Sequence, residues 1–268
     1  MICLYANNKA FEVLAALESA FIEQTCPPAE LVAIFDGPVP NDVSAVIEEF
    51  STRIPVTCVT FAQNMGHGPA RAAAIEKSSY GWMAIIDSDD ISSPDRFETL
   101  LKTIASYPDS AVVGGGLTEF RDSAEGRVVG KLRLFPENPE DVVRYIQSRA
   151  PVAQPTAILR VQAVLDVGNY QTWYNNEDYH LWIRLVRAGY EIRNVSKSVL
   201  LFRTSPDLYA RRGGLRYWWN EVRLQAFSLS SGTTVLSKFL LGAIVRFGVQ
   251  VVMPGWVRSA FYNKFLRR

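Results

Sequence analysis

The chain has 268 residues, enough for one large domain or one domain with an appendage. Hydrophobic residues make up 48% and charged residues 21%, which excludes a disordered chain and permits a sizeable core. The net charge of +1 conceals an asymmetry: from Arg211 onward ten Lys/Arg face the single acidic Glu221, giving +9, while residues 1–210 carry −8. An acidic body with a basic end points to an anionic surface met by that end. Three cysteines, Cys3, Cys26 and Cys58, lack metal-ligand spacing and fit a reducing compartment. Met1 runs into an apolar stretch with neither a basic start nor a cleavage pattern. The nearest approach to a spanning segment, Phe239–Pro254, is interrupted by Arg246. The expected location is therefore cytoplasmic, and no nucleic-acid partner is called for.

In chain order, Ile2–Ala6 reads as a buried strand, and Phe11, Leu14, Leu17 and Phe21 recur at helical spacing. Leu31–Phe35 is a second strand closed by the turn signal Asp36-Gly37. Val43–Phe50 is helical, Val56–Phe61 a third strand, and Gly68–Lys77 an Ala-rich helix. Trp82–Ile86 is a fourth strand ending at Asp87, and the amphipathic Pro94–Ser106 begins with proline as a helix does. This alternation predicts a mostly parallel sheet with helices on both faces, and ligands at the carboxyl ends of its strands. Farther on, Ala111–Val113 is a strand running into Gly114-Gly115-Gly116, Arg121–Gly130 a polar loop, and Pro155–Leu159 a short strand. Glu177–Ala188 is a helix closed by Gly189. Leu215–Leu229 and Val235–Val252 are long, aromatic and basic, with a boundary expected near Ser205-Pro206.

The strongest chemical signal is Asp87-Ser88-Asp89-Asp90, directly after a strand. Three carboxylates in four residues repel one another unless solvated or neutralised. They offer hard oxygen ligands to Mg²⁺ or Mn²⁺, and an acidic turn capping the next helix is the plainer alternative. Asp36 can accept a hydrogen bond from a base or a ribose, or serve only its turn. Asn64–Arg71 opens a helix with small residues, favouring an anion at its start, with Arg71 one turn in. His67 in that loop carries little weight as a ligand. Glu177-Asp178 is either acidic charge at a helix start or a general base that takes a proton from an acceptor hydroxyl. Arg203, Arg211 and Arg212 form a basic cluster suited to a diphosphate or a lipid-linked acceptor phosphate, or to a solvated loop. Trp173, Trp182, Trp218 and Trp219 can stack on sugars, although burial is the usual fate of tryptophan.

Taken together these segments resemble the family 2 glycosyltransferases with the GT-A fold. The resemblance runs from the first strand and Asp36 through Asn64–Arg71 and Asp87–Glu98 to Glu177–Trp182. Gly114-Gly115 with Glu119-Phe120, and Arg211–Gly214 with Tyr217, are similar to the branch that builds bacterial exopolysaccharide, capsule and lipopolysaccharide, amylovoran-type enzymes included. It implies an α/β fold with a mostly parallel central sheet flanked by helices and a helical C-terminal extension. The catalytic domain would span 1–205, its nucleotide-sugar half about 1–110 and its acceptor half about 111–205. The basic aromatic tail would span 206–268.

By position the resemblance implies that Tyr5, Ala6, Asp36, Asn64, Arg71, Asp87 and Ser88 line the nucleotide pocket. Asp89 would ligate Mn²⁺ or Mg²⁺, and Asp178 would be the base of an inverting displacement. The implied donor is a nucleotide-sugar, a UDP-sugar first, and the acceptor a glycan or lipid-linked precursor. Gln154-Pro155-Thr156 departs from the branch, where a histidine-containing stretch is expected. A sugar nucleotidyltransferase would place a glycine-rich basic loop where Asn7-Asn8-Lys9 stands, and a non-catalytic nucleotide-sugar-binding protein would lose Asp89 or Asp178. The tail implies peripheral contact with the inner face of the cytoplasmic membrane. Phe239, Leu240, Ile244, Val245, Phe247, Val251 and Val252 share a helix face, while Lys238, Arg246, Arg258, Lys264, Arg267 and Arg268 supply charge.

Overall fold

A computed structural model describes residues 1–204 and 213–253. The expected boundary at Ser205-Pro206, the pair Arg211-Arg212, and Arg258, Lys264, Arg267 and Arg268 lie outside the described residues. The first part is built as the alternation requires: β1 (Ile2–Leu4), α1 (Ala10–Leu17, continued by a π-helical turn to Ile22), β2 (Leu31–Asp36), α2 (Asn41–Ser51), β3 (Val56–Phe61), α3 (His67–Glu76) and β4 (Trp82–Ala84). Strands β1, β2 and β3 pair in parallel in that order. Strand β2 is buried over Leu31–Ile34 without alternation, as in a sheet covered on both faces. Helix α2 buries Val43, Ile47 and Phe50, one stripe at helical spacing.

The second part is mixed rather than parallel. It contains β5 (Ile91–Ser92), α4 (Arg96–Ser106), β6 (Ser110–Ser123), β7 (Gly126–Arg133), α5 (Pro139–Tyr145), β8 (Ile158–Arg160), α6 (Val161–Asp166), α7 (Glu177–Arg187) and β9 (Glu191–Arg203). Its strand order is β4-β8-β6-β9-β5, with β7 on β6, and only β6 and β9 run parallel. A parallel bridge between Ile2 and Ile86 joins it to the first sheet. The α/β class therefore holds, with parallel pairing concentrated in the first half.

Two local expectations change. Arg121–Gly130 is not a loop: it forms the arms and turn of the β6–β7 hairpin, with Ser123 opposite Gly126. The arm β7 is exposed over most of its length, so no apolar alternation marks it. The strand expected at Ala111–Val113 runs on through the glycines to Ser123. A Cβ on Gly114 would meet Val152 at 2.6 Å and Asn194 at 2.7 Å, so close packing explains that glycine.

Helix α7 is the spine of the larger core, with Leu181, Trp182, Ile183 and Leu185 fully buried. Each such side chain removed from water contributes roughly 1.5–3 kcal/mol. Two helices follow, α8 (Leu215–Ser230) and α9 (Leu236–Phe247, continued by a π-helical turn to Val252). Leu224 of α8 belongs to the same core cluster as α7, whereas α9 buries none of its own residues. Among the described residues no helix is long and apolar enough to cross a membrane.

Candidate active site

The carboxyl ends of β1 to β4 share one edge, the edge at which such sheets receive ligands. After β1 the chain turns through Tyr5–Asn8, where Tyr5 N donates to Asn8 Oδ1 at 2.7 Å. Asn8 Nδ2 donates to Ser88 Oγ at 2.6 Å, tying this turn to the acidic turn after β4. Tyr5 is half-buried and Ala6 exposed beside it. Asn8 was not singled out from the sequence, because a turn-forming residue after a strand carries no further signal.

In the acidic turn Asp87 and Asp89 are half-buried, and Ser88 and Asp90 are buried. Asp89 is pushed up to about 6, first by burial and then by the charges of Asp87 and Glu12, against the pull of Arg203. Burial, then Asp87 and Asp89, hold Asp90 well above the carboxylate range. Its Oδ1 accepts from Arg203 N at 2.8 Å, and its buried Oδ2 has no hydrogen-bond partner among the described residues. Below the turn lies the fully buried Arg96, which donates to the carbonyls of Ile85 and Pro155, both at 2.7 Å, and to Ser92 Oγ at 3.0 Å. Arg203 donates to the Asp89 carbonyl at 2.8 Å and pairs with Asp122.

Asp36 is buried, and its two carboxylate oxygens accept from Met65 N at 2.6 Å and Gly66 N at 3.0 Å. Asn64 Nδ2 donates to the Asp36 carbonyl at 3.2 Å, so the turn after β2 shapes the loop before α3. Gly37, at φ +84°, would set a Cβ 2.7 Å from Asn64 N, which explains a glycine there. Arg71 is buried inside α3, where its guanidinium pairs with Glu177 and reaches Asp87 Oδ1 at 3.5 Å. Burial opposes its charge, but Glu177 and Asp87 outweigh burial.

Glu177 and Asp178 begin α7. Glu177 is buried against Arg71, whereas Asp178 is half-buried and accepts from Tyr179 N at 2.7 Å. Asp178 is pushed up to about 6 by burial and by Glu177, with Arg71 pulling it down. His67 lies among these groups. Its side chain is exposed, but the protein atoms crowded around it and the charge of Arg71 lower its pKa, while Asp87, Asp36 and Asp178 pull it back. The loop after β3, the acidic turn and the start of α7 thus converge, with Arg71 as the clasp.

Among the described residues no three His, Cys, Asp or Glu side chains close into a metal-binding set. The donor chemistry still fits a hard divalent cation that takes its remaining oxygens from a ligand: Asp87 and Asp89 are half-buried carboxylates crowded by like charge. The tryptophans divide. Trp182 is fully buried core, Trp173 stacks on His180, Trp218 Nε1 donates to the Ala243 carbonyl at 3.0 Å, and Trp219 is exposed. Gln154, in the departing stretch, is buried and donates to Tyr170 Oη at 2.6 Å.

The α/β architecture, with an acidic turn after the fourth strand and a carboxylate pair at the head of a later helix, is of the GT-A type. The model of glycosyl transferase family 2 matches residues 2–167, and the chain belongs to that family. It is 31% identical over its whole length to an uncharacterized glycosyltransferase of Haemophilus influenzae, covering 98% of that protein. It is 28% identical to the amylovoran biosynthesis glycosyltransferase AmsE of Erwinia amylovora, over 98% of this chain and 97% of that one. It is 25% identical to the UDP-Gal:alpha-D-GlcNAc-diphosphoundecaprenol beta-1,3-galactosyltransferase of Escherichia coli, over 100% of this chain and 96% of that one. In fold it is similar to residues 1–349 of S. aureus TarS in complex with UDP-GlcNAc, with TM-score 0.67 and 16% identity, over 96% of this chain and 78% of that one. The chain is a family 2 glycosyltransferase.

Proposed function

We propose that the protein transfers a sugar from a UDP-sugar to a lipid-linked or glycan acceptor in bacterial cell-surface polysaccharide synthesis, with inversion at the anomeric carbon. The observation that carries this reading is Asp178. Its carboxyl is half-buried at the head of a packed helix, clasped through Glu177 and Arg71 to the acidic turn, and raised to about 6. At neutral pH it is ionised yet more basic than an ordinary aspartate, which suits a general base. Asp178 accepts the proton of the acceptor hydroxyl as that oxygen bonds to the anomeric carbon. The bond from that carbon to the nucleotide diphosphate breaks, and the diphosphate leaves with the electron pair. A single displacement inverts the centre. Mn²⁺ or Mg²⁺ held by Asp89 with Asp87 would supply charge stabilisation for the departing diphosphate. Asp36, Asn64 and the Tyr5–Asn8 turn shape the nucleotide side, and Arg71 serves it indirectly by holding Asp87 and Glu177.

The acceptor class is supported by the name of the E. coli relative, which acts on a diphosphoundecaprenol-linked sugar. It is supported also by α9, which leaves Leu236, Leu240, Leu241, Ile244 and Val245 exposed, and by the absence of any acidic residue after Glu221. The catalytic domain is proposed to span 1–205 and the membrane-facing tail 206–268. Flotation with anionic vesicles, and not with neutral ones, is the expected result for the tail, and equal flotation with both would contradict it.

The deciding test of the mechanism is Asp178→Asn. UDP release from UDP-galactose in the presence of a synthetic N-acetylglucosaminyl-diphospho-lipid should fall by about 10²–10⁴-fold. Nucleotide affinity should change little, and turnover close to wild type would remove Asp178 from the chemistry.

A further inference from the structure

The segment from Gly168 to Asn176 delivers the chain to Asp178, and it is held from two sides. On the side of α3, Gly68 approaches so closely that a Cβ there would stand 2.4 Å from the Gln171 carbonyl oxygen. On the other side stand α8 and α9. Asn176 is the residue immediately before α7, where an asparagine side chain ordinarily accepts from the first helical N–H groups. No such capping bond forms. Asn176 Nδ2 instead donates to Glu221 Oε1 on α8 at 3.0 Å. Glu221 Oε2 lies 3.4 Å from Arg246 Nε on α9, and Arg246 also donates to the Ser148 carbonyl at 2.8 Å.

Asn176 and Glu221 are both only 9% exposed. A carboxylate withdrawn from water is costly unless it is paired and hydrogen-bonded. Glu221 is also the one acidic residue from Arg211 to the last residue, Arg268. The local cap is thus forgone for a long-range bond to the single carboxylate of a basic segment. The aromatic packing follows the same line: Trp173 stacks on His180 at 4.4 Å, and Phe227 of α8 lies 4.4 Å from His180.

We propose that Glu221 is a positioning residue for sugar transfer. Acting through Asn176, it fixes the loop before α7 and thereby the carboxylate of Asp178. The α8–α9 pair is then a working wall of the acceptor side. This inference rests on Asp178 being the base.

The test compares Glu221→Ala, Glu221→Gln, Asn176→Ala and Asp178→Asn in the full chain. The probes are UDP-galactose with a synthetic N-acetylglucosaminyl-diphospho-lipid, and hydrogen exchange over residues 168–179 without ligand. Glu221→Ala should lower kcat by about tenfold or more, since misplacing a reacting group by about 1 Å can cost 10²-fold. The KM for UDP-galactose should stay within about twofold, because binding that persists through the loss of kcat leaves KM unmoved. Exchange in residues 168–179 should quicken. Glu221→Gln keeps an acceptor for Asn176 and loses only the partly exposed pairing to Arg246, so it should recover to within about threefold of wild type. Asn176→Ala should reproduce Glu221→Ala, and the double substitution should add little to either.

Unchanged exchange and kcat in Glu221→Ala would overturn the proposal, as would an equal rise in donor KM or a Glu221→Gln as impaired as the alanine. If Asp178→Asn retains turnover, the base assignment fails, while the exchange result still decides whether Glu221 holds the loop.

Discussion

Asp36 and Asp178, proposed here to serve the nucleotide side and the acceptor side of one site, have surroundings that differ in kind. Asp36 is buried with two backbone N–H groups on its carboxylate, at 2.6 Å and 3.0 Å. Asp178 accepts from Tyr179 N at 2.7 Å and lies next to the like charge of Glu177. Asp89 and Asp90 resemble Asp178, raised by burial and by neighbouring carboxylates. A carboxylate whose lone pairs meet fixed donors organises backbone. One raised by burial and by neighbouring carboxylates keeps capacity for a proton or a cation, and such groups collect where chemistry is done. Arg71 stands between the two kinds and belongs to neither, since its charge is used within the protein.

Breaking the clasp should have the largest effect on stability. Arg71→Met leaves Glu177 buried without its cation, and losing one partner of a buried pair costs about 3–5 kcal/mol. Thermal melting should show that loss, and adding Glu177→Gln should recover part of it, because the orphaned charge is then gone. If Arg71→Met melts like wild type, the pair is not a structural clasp and Arg71 returns as a candidate for the nucleotide.

Asp36→Ala should cost less. It removes the acceptor of the part-buried N–H groups of Met65 and Gly66, and each such hydrogen bond contributes about 0.5–1.5 kcal/mol. For a chain of this size about 1 kcal/mol moves the midpoint by roughly 2–4 °C. Nucleotide binding, followed as the midpoint rise with UDP, should weaken as well, because the loop before α3 loses its anchor. Weakened UDP binding with an unchanged midpoint would make Asp36 a direct ligand and erase its contrast with Asp178.

Much of the first half was legible because its signals are local. Strand, turn and helix alternate with matching hydrophobic periods, and the acidic turn falls at a strand end. The hairpin β6–β7 was not legible, because β7 is largely exposed and its polar residues look like a loop. Strand β9 gives no clean period either, since its burial changes irregularly along the strand. At the site, sequence order brought the carboxylates forward but not their partners. Glu177 with Arg71 joins residues 106 apart, and Asn176 with Glu221 joins residues 45 apart. Nothing in either local pattern announces the other member. Arg71 stands out in the sequence by its place near a helix start and by the family resemblance, and neither signal announces that Glu177 arrives beside it in the fold.

The smallest expected effect is a shift of stability with pH, and it tests whether Asp178 is a strained functional group or a favourable helix-end charge. An ordinary aspartate titrates near 3.8, whereas Asp178 in the fold keeps its proton up to about 6. Between those values the folded state binds the proton more tightly than the unfolded chain, so protonation favours folding there. Raising the pH from about 4 through about 6 removes that contribution. Asp178→Asn never ionises and does not lose it. The variant should therefore melt higher than wild type at pH 7, by an amount on the order of a few °C, with the gap closing toward pH 4. His180, lowered to about 4 by burial and by Arg184, acts in the opposite sense: its contribution is lost as the pH falls from about 6.5 toward 4. It is present in both proteins and cancels when the two curves are subtracted. A variant that melts lower than wild type at pH 7 would mean that the negative charge is stabilised by the start of α7, which is the behaviour of a structural residue. A higher midpoint together with lost turnover is the pairing expected where a site holds a group at some cost to stability because the reaction requires it.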